Sequence, residues 1–334
     1  MVAPSSAAAP PEVADSSVKA YDYHLPPERI AARPAPRGTA RLLTLDRTTG
    51  ETEHRSVADL PDLLRAGDRL VLNDSRVVPA RLRGVREATG GKWEGLFLSV
   101  ESAADGGLWR LMSKTRGTLN PGEIVRADSA DGSALRLRLE RKEDGGVWTA
   151  TPLDGDAATE PFAALESVGS IPLSPYIGRE TPDERDRGDY QTVYADRPGS
   201  VAAPTAGLHF TEALLEDCRA AGIAVSRVTL HVGVGTFRPM NGERLDEHTM
   251  HAEFCEVSER TAEDLAETTA AGGRVIAVGT TACRTLEAAA AANGGTVGAF
   301  RGETDIFIKP PHRFVGMNGL LTNFHLPQST LLAL

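Results

Sequence analysis

A chain of 334 residues, 41% hydrophobic and 25% charged, has room for one large domain or two and the composition of an ordinary globular protein, although aromatic residues make up only 5%. A formal net charge of −10 argues against indiscriminate nucleic-acid binding, though not against a local basic surface. No apolar run approaches the length of a membrane-spanning helix, and Cys218, Cys255 and Cys283 show neither metal nor redox spacing. Two of them sit within helical patterns and read as small core residues, and their usage fits a reducing, intracellular compartment.

Residues Met1–Ser17 are rich in Ala, Pro and Ser and lack both a basic start and an apolar h-region. They predict a disordered tail over 1–18, not a signal peptide. Short elements follow: a strand over Arg41–Leu45, a turn at Thr48-Thr49-Gly50, a helix over Ala58–Leu64 and a buried strand over Asp68–Asn73. Six arginines (Arg65, Arg69, Arg76, Arg81, Arg83 and Arg86) stand against Asp68 and Asp74 in the adjoining stretch. They form either a solvated surface or a phosphate-contacting edge.

From Ser75 to Leu153 the character changes. Strands are expected over Val77–Leu82, Trp93–Val100, Trp109–Ser113, Glu123–Ala127, Leu135–Glu140 and Val147–Thr151. Asp105-Gly106, Asp131-Gly132 and Asp144-Gly145 supply turns. Leu135, Leu137 and Leu139 alternate with Arg136 and Arg138, the mark of a strand buried on one face. Short strands with regular turns and no helix predict a small β-barrel.

Beyond Asp154 the helix–strand pattern returns. Thr211 caps a helix whose apolar face is Leu214, Leu215 and Cys218 and which Gly222 ends. A strand over Arg227–Val232 turns Val228, Leu230 and Val232 one way, Thr229 and His231 the other. Ser258 or Thr261 caps a helix running to Ala271, Arg274–Val278 is a buried strand, and Gly279-Thr280-Thr281 opens a helix ending near Asn293-Gly294. The predicted fold is an α/β sandwich domain (19–74 and 156–334) carrying an inserted β-barrel domain (75–155).

Five turn segments concentrate polar residues: Asn73–Arg76, Pro204–Thr211, His231–Arg238, Glu247–Glu253 (EHTMHAE) and Thr322–His325. Histidine suits proton transfer near neutral pH. His248 and His251, at i and i+3, could hold a metal if the segment is helical, but their spacing is not that of the HExxH zinc motif. The Gly279-Thr280-Thr281 turn is either a helix cap or a seat for an anion. Gly233-Val234-Gly235 lacks a third glycine and a following helix, so a dinucleotide site is not expected there.

Ordered strings make the pattern specific. YDYHLPPERIA (Tyr21–Ala31), VLNDSRVVPARL (Val71–Leu82), GDYQTVYA (Gly188–Ala195), PGSVAAPTAGLHFT (Pro198–Thr211), VTLHVGVGTFRP (Val228–Pro239), EHTMHAE, VIAVGTT (Val275–Thr281) and LLTNFHLPQSTLL (Leu320–Leu332) span nearly the whole chain after the tail. In these strings the chain resembles the S-adenosylmethionine:tRNA ribosyltransferase-isomerase family of queuosine biosynthesis. The resemblance implies an α/β domain with an inserted barrel. It also implies transfer of the ribosyl part of S-adenosylmethionine to a 7-aminomethyl-7-deazaguanine in a tRNA anticodon. The ribose is isomerised to the epoxycyclopentanediol of epoxyqueuosine, and adenine and methionine leave.

That chemistry needs a base for the proton on the carbon beside the sulfonium, an acid or donor for departing adenine, an anion seat and a base pocket. His209, His231, His248 and His251 are the candidates for proton transfer, with Glu247 or Glu253 orienting one of them. Thr205, Gly207, Gly233, Gly235, Thr236, Arg238, Asn323 and His325 are expected to line the crevice. Gly279, Thr280, Thr281 and Arg284 are expected to seat the methionine carboxylate. Asn73, Asp74 and Arg76 lie at the domain junction, and Arg81, Arg83, Lys114 and Arg116 are the expected tRNA contacts.

The implied enzyme is a cytoplasmic monomer that binds an anticodon stem-loop. It consumes S-adenosylmethionine as a co-substrate and has neither a resident metal nor another cofactor. The alternatives are a metal-dependent hydrolase built on the histidines and a catalytically inactive RNA-binding module. The chain stops at Leu334 in an apolar run, where members of the family are expected to continue into a further helix.

Overall fold

Sixteen strands are found in the computed structural model, which describes residues 16–101, 107–129, 131–179, 182–233, 235, 240 and 242–334. In chain order they are β1 (Arg41–Leu45), β2 (Thr52–Ser56), β3 (Arg69–Asn73), β4 (Ser75–Val77), β5 (Arg81–Arg86), β6 (Lys92–Val100), β7 (Trp109–Thr115) and β8 (Ile124–Asp128). The series continues with β9 (Ala134–Lys142), β10 (Val147–Pro152), β11 (Arg197–Ser200), β12 (Ala224–Leu230), β13 (Glu253–Val257), β14 (Val275–Val278), β15 (Phe300–Thr304) and β16 (Gly319–Leu321). Most of the predicted tail (1–15) and the Asp105-Gly106 turn lie outside the described residues. Ser16–Val18, assigned to that tail from composition, are held instead against the loop at Glu243–Leu245: Val18 donates to the Glu243 carbonyl at 2.9 Å and is buried.

β3 reads as a run of apolar residues because it is buried on both faces, as interior parallel strands are. It pairs in parallel with β12 on one side and β14 on the other, and β14 pairs in parallel with β16. β13 and β15 add antiparallel strands, giving the order β15-β13-β12-β3-β14-β16. The helix Gly279–Ala292 is buried along nearly its whole length, and Ala282, Cys283, Leu286 and Ala289 belong to the core it shares with β3 and β14. Small side chains let that helix approach the sheet closely. Thr211 caps the helix Glu212–Ala220 by accepting from Leu214 N–H at 3.0 Å, and Ser258 caps Glu259–Ala270 in the same way.

β5–β10 close into a six-stranded barrel in the order β10-β7-β6-β5-β8-β9, inserted in the chain between β4 and β11, which pair with each other outside the main sheet. Leu135, Leu137 and Leu139 point into it, while Arg136 and Arg138 stand outside and pair with Asp154 and Glu140. Trp93, Phe97, Trp109 and Leu111 fill the interior, and Phe97 meets Trp109 edge to face at 5.0 Å. The strand expected over Val77–Leu82 is two strands. β4 pairs with β11, and β5 enters the barrel beyond Pro79, which has no N–H to continue a ladder. The architecture is thus an α/β fold with an inserted barrel.

Candidate active site

Parallel strands carry their carboxyl ends to one edge of a sheet, and this edge gathers most of the polar turns singled out above. β3 runs into Asp74-Ser75-Arg76, β12 into His231, β14 into Gly279-Thr280-Thr281 and β16 into Thr322-Asn323-Phe324-His325. The chain leaving β3 rejoins this sheet as β12, whereas the chain leaving β14 passes through the helix Gly279–Ala292 to β15 at the far edge before it reaches β16. The carboxyl ends of the parallel strands are where open α/β sheets bind ligands.

The 3-10 turn Thr205–His209 packs onto this edge. Phe210, fully buried, anchors it in the core. A Cβ on Gly279 would lie 3.6 Å from the Ala206 methyl, so the turn sits against the helix N-terminus. His209, half-buried, has Nε2 2.9 Å from Asn323 Oδ1, joining two residues 114 positions apart. With Oδ1 as acceptor, Nε2 carries the hydrogen and Nδ1 keeps its lone pair. The neighbouring His325 is pulled by burial to a pKa of about 4 and is neutral at physiological pH.

Gly207 explains why the turn reads Thr-Ala-Gly. A Cβ there would lie 2.0 Å from the Tyr194 hydroxyl, so the ring and the backbone can approach only if residue 207 has no side chain. Thr192 and Tyr194 contribute buried hydroxyls without hydrogen-bond partners, as does Thr281. Burial raises the Tyr194 pKa, which keeps its hydroxyl protonated. Thr192 and Tyr194 were not among the expected site residues, although both lie in the GDYQTVYA string.

His231 occupies a different niche. Its ring stacks on Phe254 at 5.5 Å, and Gly199, at φ 142°, leaves the other side open for it. Burial, aided by Arg197, takes its pKa from 6.5 to about 4, and Nδ1 has no partner. An unfolded chain accepts this proton near pH 6.5, whereas the folded one resists until about pH 4. The contribution to stability is therefore complete above the unfolded value and is lost as the pH falls between the two. His231→Phe, which keeps the stacking surface, is expected to reduce the stability lost between pH 7 and pH 5 by about 2 kcal/mol. Urea unfolding at the two pH values measures it, and equal losses in both proteins would show that His231 titrates normally.

The EHTMHAE segment is not a helix. A 3-10 turn over Leu245–Glu247 is closed by Glu247 Oε2, which accepts from Glu243 N–H at 2.8 Å, and the chain leaves it extended at His248, ψ 128°. His248 and His251 therefore do not share a helix face. Among the described residues no group of three His, Cys, Asp or Glu side chains is arranged to hold a metal ion. His248 packs edge-on against Phe307, and burial lowers its pKa. His251 is exposed beside Gly235, where a Cβ would strike its ring at 2.3 Å.

Glu253 accepts from Gly233 N–H at 2.8 Å and forms a buried ion pair with Arg284. The pair ties the loop after β12 to the central helix, so Arg284, expected to bind a substrate anion, already faces a carboxylate. Its Nε also donates to the Ile306 carbonyl at 3.3 Å. Thr236 and Arg238 lie outside the described residues.

Asn73, fully buried, clamps β3 to β12: Nδ2 donates to the Leu230 carbonyl and Oδ1 accepts from Leu230 N–H, both at 3.0 Å. Its side chain serves the sheet. Asp74 accepts from Thr229 Oγ1 at 2.7 Å, and burial raises its pKa. Arg76 is exposed. Of the expected basic edge, Arg69 is tied to Asp264 and Ser226, Arg81 and Arg83 share Glu94, and Arg86 pairs with Glu123. Lys114 and Arg116, at the end of β7, are exposed.

A family model described as queuosine biosynthesis protein matches residues 18–334. An S-adenosylmethionine:tRNA ribosyltransferase-isomerase of Azorhizobium caulinodans is 48% identical over 321 residues, covering 95% of this chain and 90% of that protein. A Phenylobacterium zucineum protein of the same name is 48% identical over 322 residues, 94% of this chain and 88% of its own length. The crystal structure of an S-adenosylmethionine tRNA ribosyltransferase from Thermotoga maritima matches 94% of this chain and 87% of that chain, with 31% identity and a TM-score of 0.48.

Proposed function

The chain belongs to the queuosine biosynthesis protein family and is an S-adenosylmethionine:tRNA ribosyltransferase-isomerase, and we propose that it works at the carboxyl edge of β12, β3, β14 and β16. One observation carries the location: loops 100 and more residues apart in sequence meet at that edge and join His209 to Asn323. The alternatives of a metal-dependent hydrolase and an inactive RNA-binding module draw nothing from the family match.

The acceptor is the aminomethyl-deazaguanine at the wobble position of an anticodon stem-loop. S-adenosylmethionine is consumed as the ribosyl donor, and no other cofactor is needed. The enzyme acts as a monomer in the cytoplasm, where both substrates are found. Among the described residues no helix is long and apolar enough to cross a membrane.

His209 is the proton-transfer residue. Asn323 fixes its ring, and Nδ1 is free to take the proton that the sulfonium acidifies. The methionine carboxylate is seated at the N-terminus of the helix Gly279–Ala292, whose N-cap residue Val278 makes no side-chain cap. Thr281 adds an unpartnered hydroxyl there. Arg284 supports this seat from behind through Glu253 and Gly233, and its Nη2 is buried without a partner. Incubation with S-adenosylmethionine and a stem-loop carrying the aminomethyl-deazaguanine is expected to release adenine and add the ribosyl mass to the RNA. Absence of both products would overturn the reading.

Lys114 and Arg116 are the barrel's contacts to RNA phosphates. Replacing both by alanine is expected to reduce the slope of log affinity against log salt by about 1 to 2. Replacing Arg81 and Arg83, already paired with Glu94, should leave that slope largely intact. An unchanged slope in the first variant would remove this part of the barrel from the RNA interface.

A further inference from the structure

Among the described residues, the aromatic side chains that stand largely exposed are Phe324, at 89%, and Tyr23, at 41%. Both border the carboxyl edge of the sheet. Phe324 follows Asn323, whose side chain holds His209, and precedes His325, whose backbone carbonyl accepts the Tyr23 hydroxyl. The backbone is thus tied down on both sides of a ring that itself points into solvent. An apolar ring that finds no cover in the fold gains nothing for stability from its position.

We propose that Phe324, with Tyr23 beside it, is the stacking face for the nucleobase that receives the ribosyl group. The inference rests on the ribosyl-transfer reading above. For the exocyclic amine of the base to meet the donor in the crevice, the base must leave its neighbours in the anticodon loop. It then loses stacking on both faces. A flat, uncharged ring at the mouth of the crevice replaces one of those faces. Because every base presents a π-face, the ring holds the base without specifying it and leaves recognition to polar groups deeper in the edge. The exposed apolar surface at this point is essentially one side chain, far smaller than a protein–protein interface requires. Its position one residue from the His209 ligand fits a base delivered to the reaction centre.

A double-mutant cycle tests the contact. Fluorescence anisotropy would compare binding of two stem-loops, one carrying the aminomethyl-deazaguanine and one abasic at the wobble position, to the full chain and to Phe324→Ala. The expected result is a loss of roughly tenfold for the intact stem-loop in Phe324→Ala. The abasic stem-loop should bind both proteins alike, and Phe324→Trp should retain wild-type affinity. S-adenosylmethionine affinity should not change, which shows that the variant is folded. Equal weakening of both RNAs, or no weakening of either, overturns the proposal. Adenine release by the unmodified protein reads the ribosyl-transfer function separately, so failure of that assay and failure of the cycle are distinguishable.

Discussion

His209→Ala is expected to slow adenine release in single turnovers by roughly 10²- to 10⁴-fold, the usual contribution of a positioned general base. The variant should still bind S-adenosylmethionine and RNA, because the imidazole contributes a lone pair to the reaction rather than a binding contact. Asn323→Ala keeps the base but frees the ring whose Nε2 it held at 2.9 Å. Its expected loss is smaller, on the order of tenfold, and falls on kcat more than on KM. A His209→Ala enzyme within tenfold of wild type would move the proton transfer to another group. His231, neutral and with Nδ1 unpartnered, is the next to test.

The second large effect concerns the fold beneath the site. Glu253 and Arg284 are both almost wholly buried, at 3% and 4% side-chain exposure. Removing one partner strands the other charge away from water. Glu253→Gln is therefore expected to lower the unfolding free energy by about 3 to 5 kcal/mol. It also weakens the acceptor for Gly233 N–H and loosens the loop after β12. The double variant Glu253→Gln, Arg284→Met removes both charges and should regain much of that loss. Urea-unfolding midpoints of the single and double variants measure this. A single variant within 1 kcal/mol of wild type, or a double variant no better than the single, would show that the charges are not coupled.

Local patterns made much of the architecture legible. The alternation at Leu135–Leu139 and the Asp-Gly turns mark the barrel, and Thr211 and Ser258 mark helix starts because capping acts over three residues. The turns that reach the carboxyl edge were visible as clusters of polar residues interrupting apolar strands. What the buried polar residues bind was not legible, because each partner lies far away in sequence: Leu230 for Asn73, Asp264 for Arg69, Glu253 for Arg284. β13 was missed because its inward-facing positions begin with a glutamate, whose burial makes sense only once Arg284 is opposite. β2, Thr-Glu-His-Arg-Ser, has no apolar period at all and is a strand only through pairing with β1. EHTMHAE suggested a helical His pair by its spacing. The capping bonds of Glu247 and the extended chain at His248 decide otherwise.

The position of β3 in the chain also bears on how the protein is made. β3 ends at Asn73, whereas its partners begin at Ala224 and Val275, with the whole barrel between them. During synthesis the barrel strands emerge close to one another and can close before β12 exists, because short loops close fastest. Through that interval Leu70, Val71 and Leu72, which end up fully buried, have no sheet to join. The nascent chain therefore passes through a stage with a finished barrel and an unpaired apolar strand. Chaperone engagement and aggregation both act on such exposed strands, and this one is exposed before any residue of the carboxyl edge beyond β3 has been joined to the others.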